Sequence, residues 1–128
     1  MRSARSIAQW FCLIGGGLLI ARGAVGVALD PDFATPGEGW HQLFHLLSGV
    51  ALVAASRWER PALVLTFAFA ATYGAITVTG IVDGAEVAGV LPVEASDNRV
   101  HTSFTLGSLA VAVATVVRRP APGRPAAT

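Results

Sequence analysis

Four long apolar stretches divide the chain, and they constrain its fold more than any other feature. They cover residues 7–29, 40–56, 62–82 and 99–117. An α-helix rises 1.5 Å per residue, so stretches of about 20 residues match the roughly 30 Å hydrocarbon core of a bilayer. Lipid offers the backbone no hydrogen bonds, and an apolar stretch inside it therefore forms a helix. The sequence predicts an all-α integral membrane protein, a four-helix bundle of transmembrane helices in residues 7–117.

The composition agrees with a membrane protein. Of the 128 residues, 13% are charged and 53% are hydrophobic, whereas about 25% are charged in a typical soluble domain. The net charge is only +1, which argues against a nucleic-acid partner, because such a partner needs a concentrated basic surface. The single cysteine, Cys12, excludes an intramolecular disulfide and a multi-cysteine metal site. The lipid bilayer is the expected partner.

The arginines predict the topology. Seven of the nine precede the first stretch, lie at residues 57–60 between the second and third, or follow the fourth, whereas connectors 30–39 and 83–99 are acidic, with Arg99 as their one basic residue. The positive-inside rule then predicts a multi-pass protein of the cell (inner) membrane with both termini cytoplasmic. Residues 1–6 form a basic cytoplasmic N-terminus, and residues 118–128 a disordered cytoplasmic tail rich in proline. The first stretch is long for a cleaved signal peptide, and three more spans follow it.

The second and fourth stretches begin alike, which indicates an internal repeat. At a separation of 60 residues the identical pairs are His41/His101, Phe44/Phe104, Leu46/Leu106, Ser48/Ser108, Val53/Val113 and Ala54/Ala114. Both halves of the chain start on the same side, so we expect two parallel-related helical hairpins. Small residues of the first stretch are expected to let helices pack closely within the chain, with self-association as the alternative. They are Gly15, Gly16 and the pairs Gly17/Ala21 and Ala24/Ala28.

Ionisable residues inside membrane spans mark candidate functional sites, because burying them in lipid is costly. In this chain they collect at the predicted outer ends of the four stretches. The candidate polar cluster comprises Arg22, His41, His45, Asp83, Asp97 and His101. An ion pair between Arg22 and Asp83 that joins the first and third helices is the simplest role for the arginine, and binding of an anionic ligand is the alternative.

The histidines are the metal-ligand candidates. His41 and His45 are four residues apart and share one face of a helix. With His101 from another helix, they offer two axial ligands for a haem iron or three ligands for Zn or Cu. Neutral histidines that hydrogen-bond to a connector or a neighbouring helix need no cofactor, and the sequence favours this structural role over a haem or a transition metal. Handling of a substrate or a proton is the remaining alternative.

Three classes of function stay open. The sequence carries no nucleophile–base motif, no phosphate loop and no paired carboxylates within a span, which disfavours an enzyme. The leading hypothesis is a non-enzymatic structural or accessory membrane protein, either a homo-oligomer or bound to a membrane-protein partner. The alternative is a haem- or metal-binding redox protein that uses the outer histidines. The third is a small transporter subunit with Arg22 and Asp83 on its pathway.

Short motifs in the last three stretches carry a resemblance. They are His45 with Gly49, Tyr73-Gly74, and Asp97-Asn98-Arg99-Val100-His101 followed by Leu106-Gly107. These motifs resemble those of a domain-of-unknown-function family of small bacterial four-span membrane proteins, over about Ala8 to Val117. The resemblance implies a four-helix fold in a bacterial membrane. It implies no activity, because none is assigned to that family.

Overall fold

A computed structural model describes residues 5–84 and 86–118, which form four α-helices and one small β-hairpin. The elements are α1 (Ile7–Leu29), α2 (Glu38–Ala55), α3 (Glu59–Asp83), β1 (Glu86–Val87), β2 (Leu91–Pro92) and α4 (Ala95–Val117). The predicted helical architecture is confirmed. The antiparallel β-hairpin lies in a segment where the sequence predicts only a connector. The predicted disordered tail lies, after Arg118, outside the described residues, as do residues 1–4.

Three of the four helices have the length and composition of membrane spans. Within the described residues these are α1, α3 and α4. Helix α2 has 18 residues and is polar in its first half, where Glu38, Gln42 and two histidines lie. Helix α1 has the predicted bounds, whereas the other three begin a few residues earlier than their apolar stretches. Three helices of spanning character indicate a membrane protein.

Polar residues just outside the apolar stretches begin two of the helices. Ser6 caps α1: its hydroxyl accepts a hydrogen bond from the Gln9 amide, and the Gln9 side chain accepts one from the Ser6 amide. Helix α4 begins after Glu94, whose amide donates to Asp97 Oδ2 at 2.9 Å. Glu94 is thus the N-cap of α4, and Asp97 acts from inside the first turn.

Glycines bring α1 and α2 into direct backbone contact. A Cβ atom at Gly16 would lie 2.8 Å from the Gly49 carbonyl oxygen, and one at Gly23 would lie 2.5 Å from the Leu46 amide nitrogen. The two small pairs predicted on the same helix do not pack within the described chain: a Cβ at Gly17 would meet no described atom within 4 Å, and Ala21, Ala24 and Ala28 are exposed. Gly15 and Gly16, which were also expected to pack, are buried, so α1 packs through a face next to that of the two pairs.

The helices pack as two hairpins, α1 on α2 and α3 on α4, with further contacts of α1 to α3 and α4. We call the end where α1 begins and α4 ends the terminal end, and the opposite end the β-hairpin end. At the terminal end the buried core includes Ala8, Cys12 and Ala62. At the β-hairpin end the Gly37 amide donates to the Val90 carbonyl at 3.1 Å, which ties the connector before α2 to the β-hairpin.

Candidate metal centre

Three histidines meet inside the β-hairpin end. His41, His45 and His101 are 2%, 7% and 3% exposed. Their ring centroids are 4.6 Å apart for His41 and His45, 5.6 Å for His41 and His101, and 6.1 Å for His45 and His101. One ring nitrogen of each lies within 4.8 Å of those of the other two. We call these three residues the histidine cluster.

The helices explain why the cluster forms. The four-residue spacing places His41 and His45 on one face of α2, and that face points inward, since both are buried. Among the described residues, α2 and α4 have no Cα atoms within 8 Å of each other. The two backbones therefore leave room for imidazole rings between them, and His101 enters that space from α4.

The ring nitrogens of the cluster lack partners. Both nitrogens of His41 and the Nδ1 atoms of His45 and His101 are buried and form no hydrogen bond with any described residue. Glu38 Oε2 lies 3.6 Å from His41 Nδ1, beyond hydrogen-bond distance. A neutral imidazole has one donor and one acceptor nitrogen, and each buried polar group without a partner costs about 1–3 kcal/mol. The cluster is therefore an unsatisfied set of buried ligand atoms.

Aromatic rings from α2, α3 and α4 enclose the cluster. Tyr73 is 1% exposed, and its ring stacks on Phe69 at 4.2 Å and meets the edge of His101 at 5.1 Å. The ring of Tyr73 is also nearly parallel to that of His45, at 6.4 Å. The Tyr73 hydroxyl is buried and has no hydrogen-bond partner among the described residues; Ser48 lies near it but donates to main-chain carbonyls instead. These rings give the cluster an apolar border on the side of α3.

A cleft between α1 and α4 leads to the cluster. Its volume is about 300 Å³, and its lining residues are Leu18, Leu19, Arg22, His45, Ser96, Asp97, Val100, His101 and Phe104. Arg22 is exposed and forms no ion pair with the part of the chain that the structure describes. His45 and His101 belong to both the cluster and the cleft lining, so the cleft adjoins the cluster from the side of the protein.

The structure places the six predicted site residues in three locations. The histidines form the cluster, and Arg22 and Asp97 line the cleft beside it. Asp83 is exposed at the end of α3, and within residues 5–84 and 86–118 no ion pair joins it to Arg22. The predicted Arg22–Asp83 pair is therefore wrong.

Sequence reasoning missed some polar residues beside the cluster. Gln42 is buried, its Nε2 donates to Glu38 Oε2 at 3.1 Å, and its Oε1 has no partner among the described residues. Asn98 Oδ1 is likewise buried without one, beside Gly80. The sequence marks Tyr73 only as part of the Tyr73-Gly74 motif. The signal that marks Gln42 is its position next to His41 in an otherwise apolar stretch.

This arrangement defines a helical protein of membrane character with a buried histidine cluster that can hold a transition-metal ion. Residues 33–114 match the family described as "Domain of unknown function (DUF4383)". The match covers more than half of the chain, so the protein belongs to this family, which confirms the resemblance in the motifs. It runs from the connector before α2 into α4 and includes all three histidines. No curated protein and no solved structure matches the chain.

Proposed function

We propose that the protein is a four-helix bundle in the cell membrane that binds one divalent transition-metal ion between α2 and α4. The observation that carries this proposal is the convergence of three buried imidazoles whose nitrogens lie within 4.8 Å of one another and are largely unpartnered. Imidazole nitrogen is a ligand suited to Zn, Cu, Fe and Ni. The ion would use the lone pairs that the protein leaves unused.

The exposed surface supports four spans rather than three. Large apolar side chains cover the outside of the helices; on α2, Leu47 and Val50 are 60% and 51% exposed. The polar residues of α2 point inward, so its outer face is apolar even though its average composition is not. A surface of this kind is stable in lipid and unfavourable in water. The arginine distribution supports cytoplasmic termini, which would put the cluster near the outer face.

The spacing of the cluster suits an ion. Metal–nitrogen bonds of 2.0–2.1 Å in a tetrahedral site place ligand nitrogens about 3.4 Å apart. The limit of 4.8 Å for the cluster is close enough for small side-chain rotations to close the site. Glu38, held by Gln42, lies beside His41 Nδ1. That carboxylate can orient the ring and raise its basicity, as carboxylates behind metal-binding histidines do, which would leave Nε2 of His41 for the ion.

An ion fits the cluster better than a haem does. Axial ligation of haem needs two imidazoles on opposite faces of a wide planar ring. Here one nitrogen of each histidine lies within 4.8 Å of the other two, the ring of Tyr73 packs against His101, and the ring of Phe104 packs against Tyr73. A purely structural role for the histidines explains their burial but not the unpartnered nitrogens.

The test is metal analysis of the detergent-purified, chelator-stripped protein. We expect one Zn²⁺ or Co²⁺ per chain, with the visible absorption of tetrahedral Co²⁺. His45→Ala should abolish the binding. Thr66→Val is the matched control, because Thr66 is fully buried on α3 but hydrogen-bonds to the Ala62 carbonyl, away from the cluster.

Two results would contradict the proposal. Metal binding at a ratio other than one ion per chain, or binding that persists in His45→Ala, would show that the histidines have a structural role instead. Oxidised and reduced absorption spectra of protein expressed with haem supply would show a Soret band if the cluster held haem instead.

A further inference from the structure

The cleft and the histidine cluster share two residues, His45 and His101. Three protein ligands in a tetrahedral site leave a fourth position for water or an exogenous ligand. A molecule in the cleft would therefore lie against two of the residues that would hold the ion, and it is a candidate for that fourth ligand.

The charged residues of the cleft indicate the charge of the ligand that it could bind. Arg22 contributes a guanidinium that no carboxylate of the described residues pairs with, and an arginine so placed in an apolar helix is costly unless it has a partner. Asp97 contributes one negative charge, and its Oδ2 already accepts from the Glu94 amide. An anionic ligand could contact both the guanidinium and the metal ion, whereas the neighbouring carboxylate of Asp97 would repel a second negative charge on that ligand. These charges together favour a ligand with one negative charge.

The walls of the cleft indicate the size and polarity of the rest of the ligand. Leu18, Leu19, Val100 and Phe104 are apolar, and the volume of about 300 Å³ is at the lower end for small-molecule sites. From these features, and resting on the metal site proposed above, we propose that the cleft binds a small carboxylic acid with a short apolar tail. Its carboxylate would contact Arg22 and the metal ion, and its tail the apolar wall.

The experiment uses the full-length protein loaded with Co²⁺ and titrated with butyrate in a buffer without carboxylates. We expect a saturable shift of the Co²⁺ absorption bands, and a weaker response to inorganic phosphate. Arg22→Gln should weaken butyrate binding at least tenfold, because a charge-assisted hydrogen bond is lost, while Co²⁺ affinity stays unchanged. Arg99→Gln removes the same charge from an exposed position on α4 outside the cleft lining and should have no effect.

The outcomes separate this inference from the proposed function. If the wild-type protein binds no Co²⁺, both are wrong. If Co²⁺ binds but butyrate causes no shift, or if Arg22→Gln and Arg99→Gln respond alike, the carboxylate site alone is wrong. If Arg22→Gln does not fold, Arg22→Lys serves in its place: it keeps the charge but loses the bidentate geometry, and weaker butyrate binding by that variant than by Arg99→Gln supports the site.

Discussion

The terminal end and the β-hairpin end are both closely packed, but they treat buried polar groups differently. At the terminal end the Thr115 hydroxyl accepts a hydrogen bond from the Ala8 amide, and the thiol of Cys12 donates to the Ala62 carbonyl. At the β-hairpin end lie the histidine cluster, Gln42, Tyr73 and Asn98. These residues supply all the buried side-chain nitrogen and oxygen atoms without partners in the described chain.

The chemistry of the side chains explains this difference. A hydroxyl on a helix can bond to a carbonyl four residues earlier, as Thr66 and Thr115 do, so it needs nothing from a neighbouring helix. An imidazole ring is too large and rigid to bond in that way. A buried histidine therefore depends on a partner from elsewhere. We expect polar groups at the terminal end to contribute to stability and those at the β-hairpin end to contribute to binding.

The largest effect is expected from removing a ligand of the ion. A ligand at 100 times its dissociation constant stabilises a folded protein by about 2.7 kcal/mol. Zn²⁺ at that excess should stabilise the wild-type protein by this amount, and His101→Ala should lose the whole increment. Thermal unfolding in detergent, with and without Zn²⁺, measures it. An undiminished increment in His101→Ala would contradict the assignment of His101 as a ligand.

A second effect is expected from the close packing of α1 on α2. Gly23→Ala should destabilise the protein by about 1–3 kcal/mol, because its Cβ would overlap the backbone of α2 at Leu46. Gly17→Ala is the control, since the space beside it is open. Unfolding by denaturing detergent compares the two variants. Equal stability would show that α1 does not pack through the face that contains Gly23.

A partnered hydroxyl at the terminal end should contribute less. Thr115→Val removes the acceptor of the Ala8 amide and should cost about 1 kcal/mol in free energy of unfolding. Metal affinity should not change, because the site is at the other end. A change in Zn²⁺ affinity in this variant would show that the terminal end also contributes to metal binding.

The smallest effect is expected at Tyr73. Tyr73→Phe removes a buried hydroxyl that has no hydrogen-bond partner in residues 5–84 and 86–118, and it keeps the stacked ring. The stability of the metal-free protein should therefore stay the same or rise by less than about 1 kcal/mol. A loss comparable to that in Thr115→Val would show that the hydroxyl has a partner in the metal-free state.

Much of the candidate site could be predicted from the sequence. Which of the predicted residues lie outside the site could not. The histidines stand out because two share a helix face and the third begins a matching stretch. Asp83 was grouped with them because it ends the third stretch at the same predicted depth, yet its side chain is exposed. Depth along a helix follows from counting residues, whereas the direction of a side chain depends on how the helix is rotated.

The sequence by itself determined the four helices, their order and the family, because helix formation in an apolar stretch and the motifs of a family are local properties. Only the tertiary structure decided which face of each helix turns inward. Successive residues on a helix differ in direction by about 100°, so Gly16 packs against α2 while the space beside Gly17 is open. All neighbours of a helix set its rotation jointly. That rotation placed Tyr73 beside the histidines and left Arg22 at the cleft with no ion-pair partner among the described residues.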